Sequence, residues 1–224
     1  MLTIIENLID AVTVTKLRDW MAEAVFEDGR ATAGGNAAKV KRNEQVSDDP
    51  KNRDPRLLEM QDLVADALWD SDLFAAAAHP KEILSPLFSR YTAGMSYGTH
   101  MDNAMMSDMR IDLALTLFLS DPGDYDGGQL VADFPTGERE VKLPAGSAVL
   151  YPATTLHRVA EVTRGQRLAA VTWIRSLVRD AGKREILFDL KTAHHRLSRD
   201  LGKTAEVDLI SKTHTNLLRR WIED

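Results

Sequence analysis

Four residues of this 224-residue chain have the types and spacing to do chemistry together: His100, Asp102, His157 and Arg167. His100-Met101-Asp102 closes the stretch RYTAGMSYGTHMD. In an extended strand side chains two apart point the same way, so an imidazole and a carboxylate would share one face. A later histidine would complete the facial 2-His-1-carboxylate arrangement that holds a non-haem Fe(II). With six histidines and 34 acids in the chain, about one His-x-Asp/Glu is expected by chance, so the pair alone carries nothing. Its partners carry the reading. His157 lies in AVLYPATTLHRV, after an apolar run and a Pro-containing turn. Ten residues later Arg167 opens the apolar run RLAAVTWIRS. A guanidinium there could hold the far carboxylate of a dicarboxylate cosubstrate through a bidentate pair.

Each residue also has an ordinary reading. His100 and Asp102 could be a chance pair on a solvated strand, His157 a satisfied core histidine, and Arg167 the partner of Glu161 across the TRGQ turn. Zinc could occupy the same three ligands without redox chemistry. His194, His195 and His214 could suggest a second metal site, but His194 and His214 fall on apolar helical stripes, which favours packing. The basic KVKRN segment reads as a solvated loop, with substrate gating as the minority reading.

The elements that would position these residues follow from periodicity. Leu17, Trp20, Met21, Ala24 and Val25 mark a helix from a Thr15 cap to about Asp28. Residues 29–47 are polar and glycine-dotted and read as an exposed loop or ribbon. Asp54-Pro55 starts a helix carrying Leu57, Met60, Val64, Ala67 and Leu68, and a short helix over Ser71–Ala78 follows. After Pro80 the texture becomes β. Ile111, Leu113, Leu115, Leu117 and Leu119 form a period-2 run, with candidate strands near 82–91, 128–133, 138–143, 147–151, 156–162 and 167–177, separated by DPGDYDGG, PTGE, PAG and TRGQ. Short strands at this spacing suggest a sandwich or barrel, and a jelly roll suits a pocket. From Val178 two amphipathic stripes, Leu187–Leu201 and Val207–Trp221, predict a helical hairpin that caps the sheet or meets a second subunit. The fold expected is therefore α+β, mainly β. It comprises an N-terminal helical region (1–80), a jelly-roll core (81–177) and a C-terminal helical subdomain (178–224).

Composition excludes several classes. The chain has no cysteine, which removes disulfides, zinc-thiolate sites, iron–sulfur clusters and thiol catalysis. Apolar residues make up 44% and charged ones 28%, ordinary for a globular protein. A net charge of −6 and a pI near 5.5 provide no basic footprint for nucleic acid. No apolar run is long enough to span a membrane. The start MLTIIENLIDAVT lacks a basic n-region. A cytoplasmic protein that uses neither membrane nor nucleic acid is expected.

Taken together, RYTAGMSYGTHMDNAMM, MRIDLALTLFLSDPGDYDGGQL, LPAGSAVLYPATTLHRVAEVTRGQRLAAVTWIRS and the C-terminal helical segment resemble the Fe(II)/2-oxoglutarate-dependent dioxygenases of the prolyl-4-hydroxylase type. More narrowly they are similar to the bacterial PKHD-type hydroxylases, some of which are associated with iron uptake. The similarity runs from about Arg90 onward. It implies a double-stranded β-helix with His100, Asp102 and His157 as iron ligands and Arg167 as the 2-oxoglutarate anchor. Tyr91 matches a tyrosine that helps bind the cosubstrate, with Tyr97 as a nearby rival and a core aromatic as the ordinary reading. Where related prolyl hydroxylases offer another tyrosine on the strand after the HxD, this chain has Phe118. Tyr125–Gly128, YDGG, reads as a loop whose glycines allow positive φ. Asp102 implies hydroxylation, since related halogenases lack this carboxylate so that chloride can bind.

The reaction so implied consumes Fe(II), 2-oxoglutarate, O2 and L-ascorbate. It couples oxidative decarboxylation to succinate and CO2 with hydroxylation of a small-molecule or peptide substrate. Two rivals from other classes are a non-catalytic metal-binding or sensing jelly roll and an oxidative demethylase of nucleic acid. The retained Arg167 counts against the first and the acidic pI against the second. The amphipathic C-terminal hairpin is compatible with a homodimer through those helices and does not fix the oligomeric state.

Overall fold

Leu113, Leu115 and Leu117 alternate with Ala114, Thr116 and Phe118, and all six are buried. A strand buried on both faces must lie between two layers, and in this computed structural model it does. The structure describes residues 1–223. The chain runs β1 (Thr3–Ile5), α1 (Ala11–Glu23), β2 (Phe26–Asp28), a 3-10 turn (Gly29–Thr32), α2 (Gly35–Lys39), β3 (Lys41–Arg42) and β4 (Glu44–Val46). Helices α3 (Leu57–Trp69) and α4 (Asp72–Ala78) follow, then β5 (Pro80–Ile83), β6 (Leu87–Thr92), β7 (Ser96–His100), β8 (Met105–Met106) and β9 (Met109–Arg110). Next come β10 (Leu113–Phe118), β11 (Tyr125–Gly127), β12 (Leu130–Phe134), β13 (Gly137–Val141), β14 (Ala148–Pro152), β15 (His157–Val159) and β16 (Val162–Ser176). Helices α5 (Ala181–Leu201) and α6 (Ala205–Trp221) complete the described chain.

A large antiparallel sheet has the order β1-β14-β10-β16-β6-β4-β2, with β5 and β11 also paired to β16. A smaller sheet has the order β13-β12-β15-β7-β3. The two are the layers of a jelly roll. The leucines of β10 join Leu17, Met21, Met60, Val64, Leu68 and Phe74 in one core between the large sheet and the helices. The alternate residues, Ala114 and Phe118, join Tyr91, Tyr125, Val149 and Tyr151 in a second core inside the roll. Strand β16 divides likewise: Leu168, Ala170 and Ile174 pack toward the helices, while Arg167, Val171 and Trp173 line the interior cleft. The small Ala114 and Thr116 also line it, so the room there follows from side-chain size.

The expected helices and strands of the middle of the chain are present with small boundary shifts. The N-terminal part differs in three respects. Helix α1 ends at Glu23 rather than near Asp28, and Phe26–Asp28 form β2, paired with β4. Helix α1 begins at Ala11 because Asp10 caps it, Oδ1 accepting from the Thr13 backbone at 2.7 Å. The Thr15 hydroxyl instead donates to Ala11 O at 2.8 Å, as a hydroxyl inside a helix commonly does. Residues 29–47 are not an exposed loop. They form a 3-10 turn, a short helix and two strands, and β4 pairs with β6 while β3 pairs with β7. Lys41, Asn43 and Gln45 are buried, whereas Arg42 is exposed and Glu44 half-buried. That is a period-2 pattern written in polar residues, which hydrophobic periodicity does not register.

Helices α5 and α6 pack against each other. His214 faces His79, the αL residue ending α4, with ring centroids 6.4 Å apart. His194 is half-buried and His195 exposed. His214 thus packs at the end of α4, and among the described residues none of His194, His195 and His214 joins a metal-ligating cluster. Among the described residues, no helix is long and apolar enough to cross a membrane.

Candidate active site

Strands β7 and β15 pair antiparallel with His100 opposite His157, which brings the two imidazoles to a centroid distance of 4.2 Å. Each ring is tethered in the same manner. His100 Nδ1 lies 2.9 Å from Gly98 O, and His157 Nδ1 lies 2.9 Å from Thr155 O. A carbonyl only accepts, so both Nδ1 atoms carry the proton and both Nε2 lone pairs are free. This carbonyl tether is what orients histidines that bind metal. β7 ends at His100, and Asp102 lies just beyond it. Its carboxylate still converges: ligand atoms of His100, Asp102 and His157 lie within 4.8 Å of one another.

Electrostatics agree with geometry. Burial holds the His100 imidazole down to about 4, with the neighbouring His157 adding to the effect, so the ring is neutral and its lone pair available. Burial pushes the Asp102 carboxyl up, opposed by His157 and by the Trp173 indole. Asp102 Oδ2 is buried with no hydrogen-bond partner. An unpaired buried carboxylate oxygen is costly, and a cation at this spot would satisfy it. Tyr97 stacks on His100 at 3.6 Å. Gly98 is required at its place, because a Cβ there would sit 2.8 Å from Val40 Cβ. That contact seats the α2–β3 segment on β7.

Arg167 is 2% exposed, and no carboxylate among the described residues pairs with it. Glu161 is exposed and does not reach it. The guanidinium carbon lies 5.2 Å from the Tyr91 ring and 5.3 Å from the Phe118 ring, and its Nε has no partner. The β16–β6 register places Arg167 opposite Tyr91. A buried cation between aromatic faces and without a counter-ion is a receptor for an anion. Tyr91 and Tyr97 both line the cleft, but Tyr91 is beside Arg167 and Tyr97 against His100. Phe118 serves as a wall under the guanidinium.

Three residues at or behind the cleft escaped the sequence reading. Tyr125, of the glycine-rich YDGG segment, is fully buried, and its hydroxyl lies beside Arg167 with no geometric partner. Gly127 and Gly128, at φ 70° and 65°, let the short β11 fold back on β16, where a Cβ on Gly127 would meet Glu161 O at 1.9 Å. The positive φ was readable in the glycines; the tyrosine they bury was not. Asn43 is buried in the cleft with neither amide atom bonded. Lys41 is the third. Burial pushes its ammonium down to about 8, against the pull of Asp28 and Asp102.

Residues 86–175 match the model of the 2OG-Fe(II) oxygenase superfamily, and residues 181–223 match that of the PKHD-type hydroxylase C-terminal domain. A PKHD-type hydroxylase of Synechococcus elongatus is 49% identical over the full length of both chains, and one of Maricaulis maris is 47% identical, again over the full length of both. The chain belongs to the PKHD-type hydroxylases. As such it is a 2-oxoglutarate-dependent dioxygenase whose family uses Fe(II), 2-oxoglutarate and O2, and the His-Asp-His cluster is a triad able to hold a metal ion. Among solved structures, a prolyl-4-hydroxylase of Pseudomonas putida superposes with a TM-score of 0.52 at 23% identity, covering 78% of this chain and 92% of that one. The viral collagen prolyl hydroxylase of Paramecium Bursaria Chlorella virus-1 gives 0.51 at 18%, covering 78% and 95%. At such identities the likeness establishes the jelly roll of this PKHD-type hydroxylase and nothing about its substrate.

Proposed function

We propose that His100, Asp102 and His157 hold Fe(II), that Arg167 anchors the distal carboxylate of 2-oxoglutarate with Tyr91 beside it, and that the enzyme hydroxylates a small molecule or peptide at a C–H bond. The observation that carries this reading is the pair of unmet demands in one cleft: an orphaned carboxylate oxygen beside two free imidazole lone pairs, and an uncompensated buried guanidinium. When bound, the iron and cosubstrate supply O2 activation coupled to decarboxylation of 2-oxoglutarate to succinate and CO2. The chain's own part is to bind, orient and exclude. The carbonyl tethers fix both ring planes, and the Trp173 indole steadies the Asp102 carboxylate. Two neutral imidazoles and one carboxylate, from His100, His157 and Asp102, are a donor set that would hold Fe(II). Tyr91, Phe118 and Tyr125 exclude water from Arg167, which strengthens its pull on a carboxylate. The retained Asp102 favours hydroxylation, since related halogenases lack this carboxylate.

L-Ascorbate as a reductant and a role in iron uptake rest on the resemblance, and a cytoplasmic location on the cysteine-free composition. Expression under iron limitation checks the role in iron uptake. The net charge of −6 supports a partner other than nucleic acid, and the amphipathic α5–α6 pair supports a homodimer. A non-catalytic metal sensor would have no use for a buried Arg167. The test is succinate release from 2-oxoglutarate by the Fe(II)-loaded protein with ascorbate. Folded, iron-loaded protein that consumes no 2-oxoglutarate, coupled or uncoupled, contradicts the reading.

A further inference from the structure

Cations enter the cleft from opposite sheets, Arg167 from β16 and Lys41 from β3. A dicarboxylate cosubstrate chelated by the metal at one end and held by Arg167 at the other leaves Lys41 over. Lys41 is 6% exposed, and among the described residues its ammonium reaches no carboxylate. Its one hydrogen bond runs from Nζ to Thr32 Oγ1 at 3.0 Å, and that hydroxyl can in turn donate to Gln45 Oε1 at 2.5 Å. An ammonium has three N–H donors, so two remain for a ligand. Nζ also lies 5.2 Å from the centroid of Tyr97, the ring stacked on His100, which places the charge beside the metal cluster. Thr32, Ala33 and Ala37 line the cleft with Lys41, as do Met101 and Met106. A lysine buried at such cost and aimed by a hydroxyl–amide relay is a point-charge receptor.

We infer that Lys41 holds a carboxylate of the molecule that is hydroxylated, so that the substrate is an organic acid bound with its anionic end beside the iron. This rests on the reading of the cleft as an iron and 2-oxoglutarate site. A single ammonium matches a monoanion better than a phosphate dianion, which would leave charge uncompensated in a buried place. Thr32 and Gln45 are positioning residues: they aim the ammonium and touch no substrate.

The test uses the full chain loaded with Fe(II) and saturating 2-oxoglutarate without O2, with propionate and propionamide as probes. Paramagnetic broadening of the probe's NMR lines by the iron reports occupancy near the metal. Propionate is expected to half-saturate at about one-tenth the concentration of propionamide, the worth of a charge-assisted hydrogen bond. The preference disappears in Lys41→Met, persists in Lys41→Arg and shrinks in Thr32→Val, which removes only the aiming hydroxyl. Equal affinity for acid and amide in the wild type, or a preference that survives Lys41→Met, overturns the inference. So does a Lys41→Met protein whose 2-oxoglutarate half-saturation rises about tenfold, since the cation would then belong to the cosubstrate. Failure of the underlying reading looks different: the wild-type iron-loaded protein would not bind 2-oxoglutarate at all, whatever the probes do.

Discussion

His100 and His157 stand opposite each other on paired strands, and each donates Nδ1–H to the carbonyl two residues before it, Gly98 or Thr155, at 2.9 Å. One backbone device, used twice, fixes both tautomers and aims both Nε2 atoms at the Asp102 carboxylate. The metal site is therefore a property of the β7–β15 register as much as of the ligands themselves. A one-residue slip of that register would turn one imidazole away.

Outer support of the site is measurable at Trp173. Trp173→Phe keeps the ring but removes the indole donor beside Asp102. Fe(II) affinity is expected to fall about tenfold, the usual lower end for loss of a partner behind a metal ligand. Competitive chelator titration reads it. Unchanged affinity would remove Trp173 from the site.

Arg167 allows a prediction with opposite signs in two assays. Arg167→Met deletes an uncompensated buried charge, so the ligand-free protein is expected to melt at the same or a higher temperature. The same change removes a charge-assisted pair, so half-saturation by 2-oxoglutarate is expected to rise at least about tenfold. Thermal melts and 2-oxoglutarate titrations of one preparation check both. A stabilising but catalytically silent substitution would mean that the cosubstrate binds elsewhere.

Much of this was readable in advance, for physical reasons. Leu113, Leu115, Leu117 and Leu119 announced β10 because one of its faces is uniformly leucine. The HxD pair, His157 and Arg167 stand out in the sequence because metal ligands and an anion anchor demand particular side chain types. Residues 29–47 were misread because Lys41, Asn43 and Gln45 are buried polar residues, whose inward direction is set by pairing of β3 and β4 with distant strands. Tyr125 was missed for a related reason. Its approach to Arg167 depends on the β11–β16 pairing across 40 residues of chain.

That pairing is itself testable at Gly165, which has φ 73° and would place a Cβ 2.0 Å from Asp124 O. Gly165→Ala combines left-handed strain with a backbone clash, so a loss of about 2–4 kcal/mol is expected in denaturant unfolding. Gly123→Ala, where a Cβ meets nothing within 4 Å, serves as the control and is expected to change stability little.

Acid stability follows from His79. Burial lowers this imidazole to about 4 from the ordinary 6.5, with His214, Arg184 and Lys191 adding repulsion. The folded protein thus resists protonation that the unfolded chain accepts. The contribution of a neutral His79 is complete above pH 6.5, is lost progressively as pH falls toward 4, and stays lost below that. His79→Asn keeps a residue tolerant of the left-handed conformation, φ 43°, and is expected to flatten the fall in melting temperature across this window. An unaltered pH profile would place the acid sensitivity elsewhere.

The central claim is that the three converging side chains and Arg167 make one iron and cosubstrate site. It is tested most directly by titrating 2-oxoglutarate into Fe(II)-loaded protein without O2 and following the visible absorption of the chelate. The account predicts a saturable band in the wild type, a half-saturation at least about tenfold higher in Arg167→Met, and no band in His157→Ala. A band of unchanged strength and midpoint in His157→Ala would contradict it.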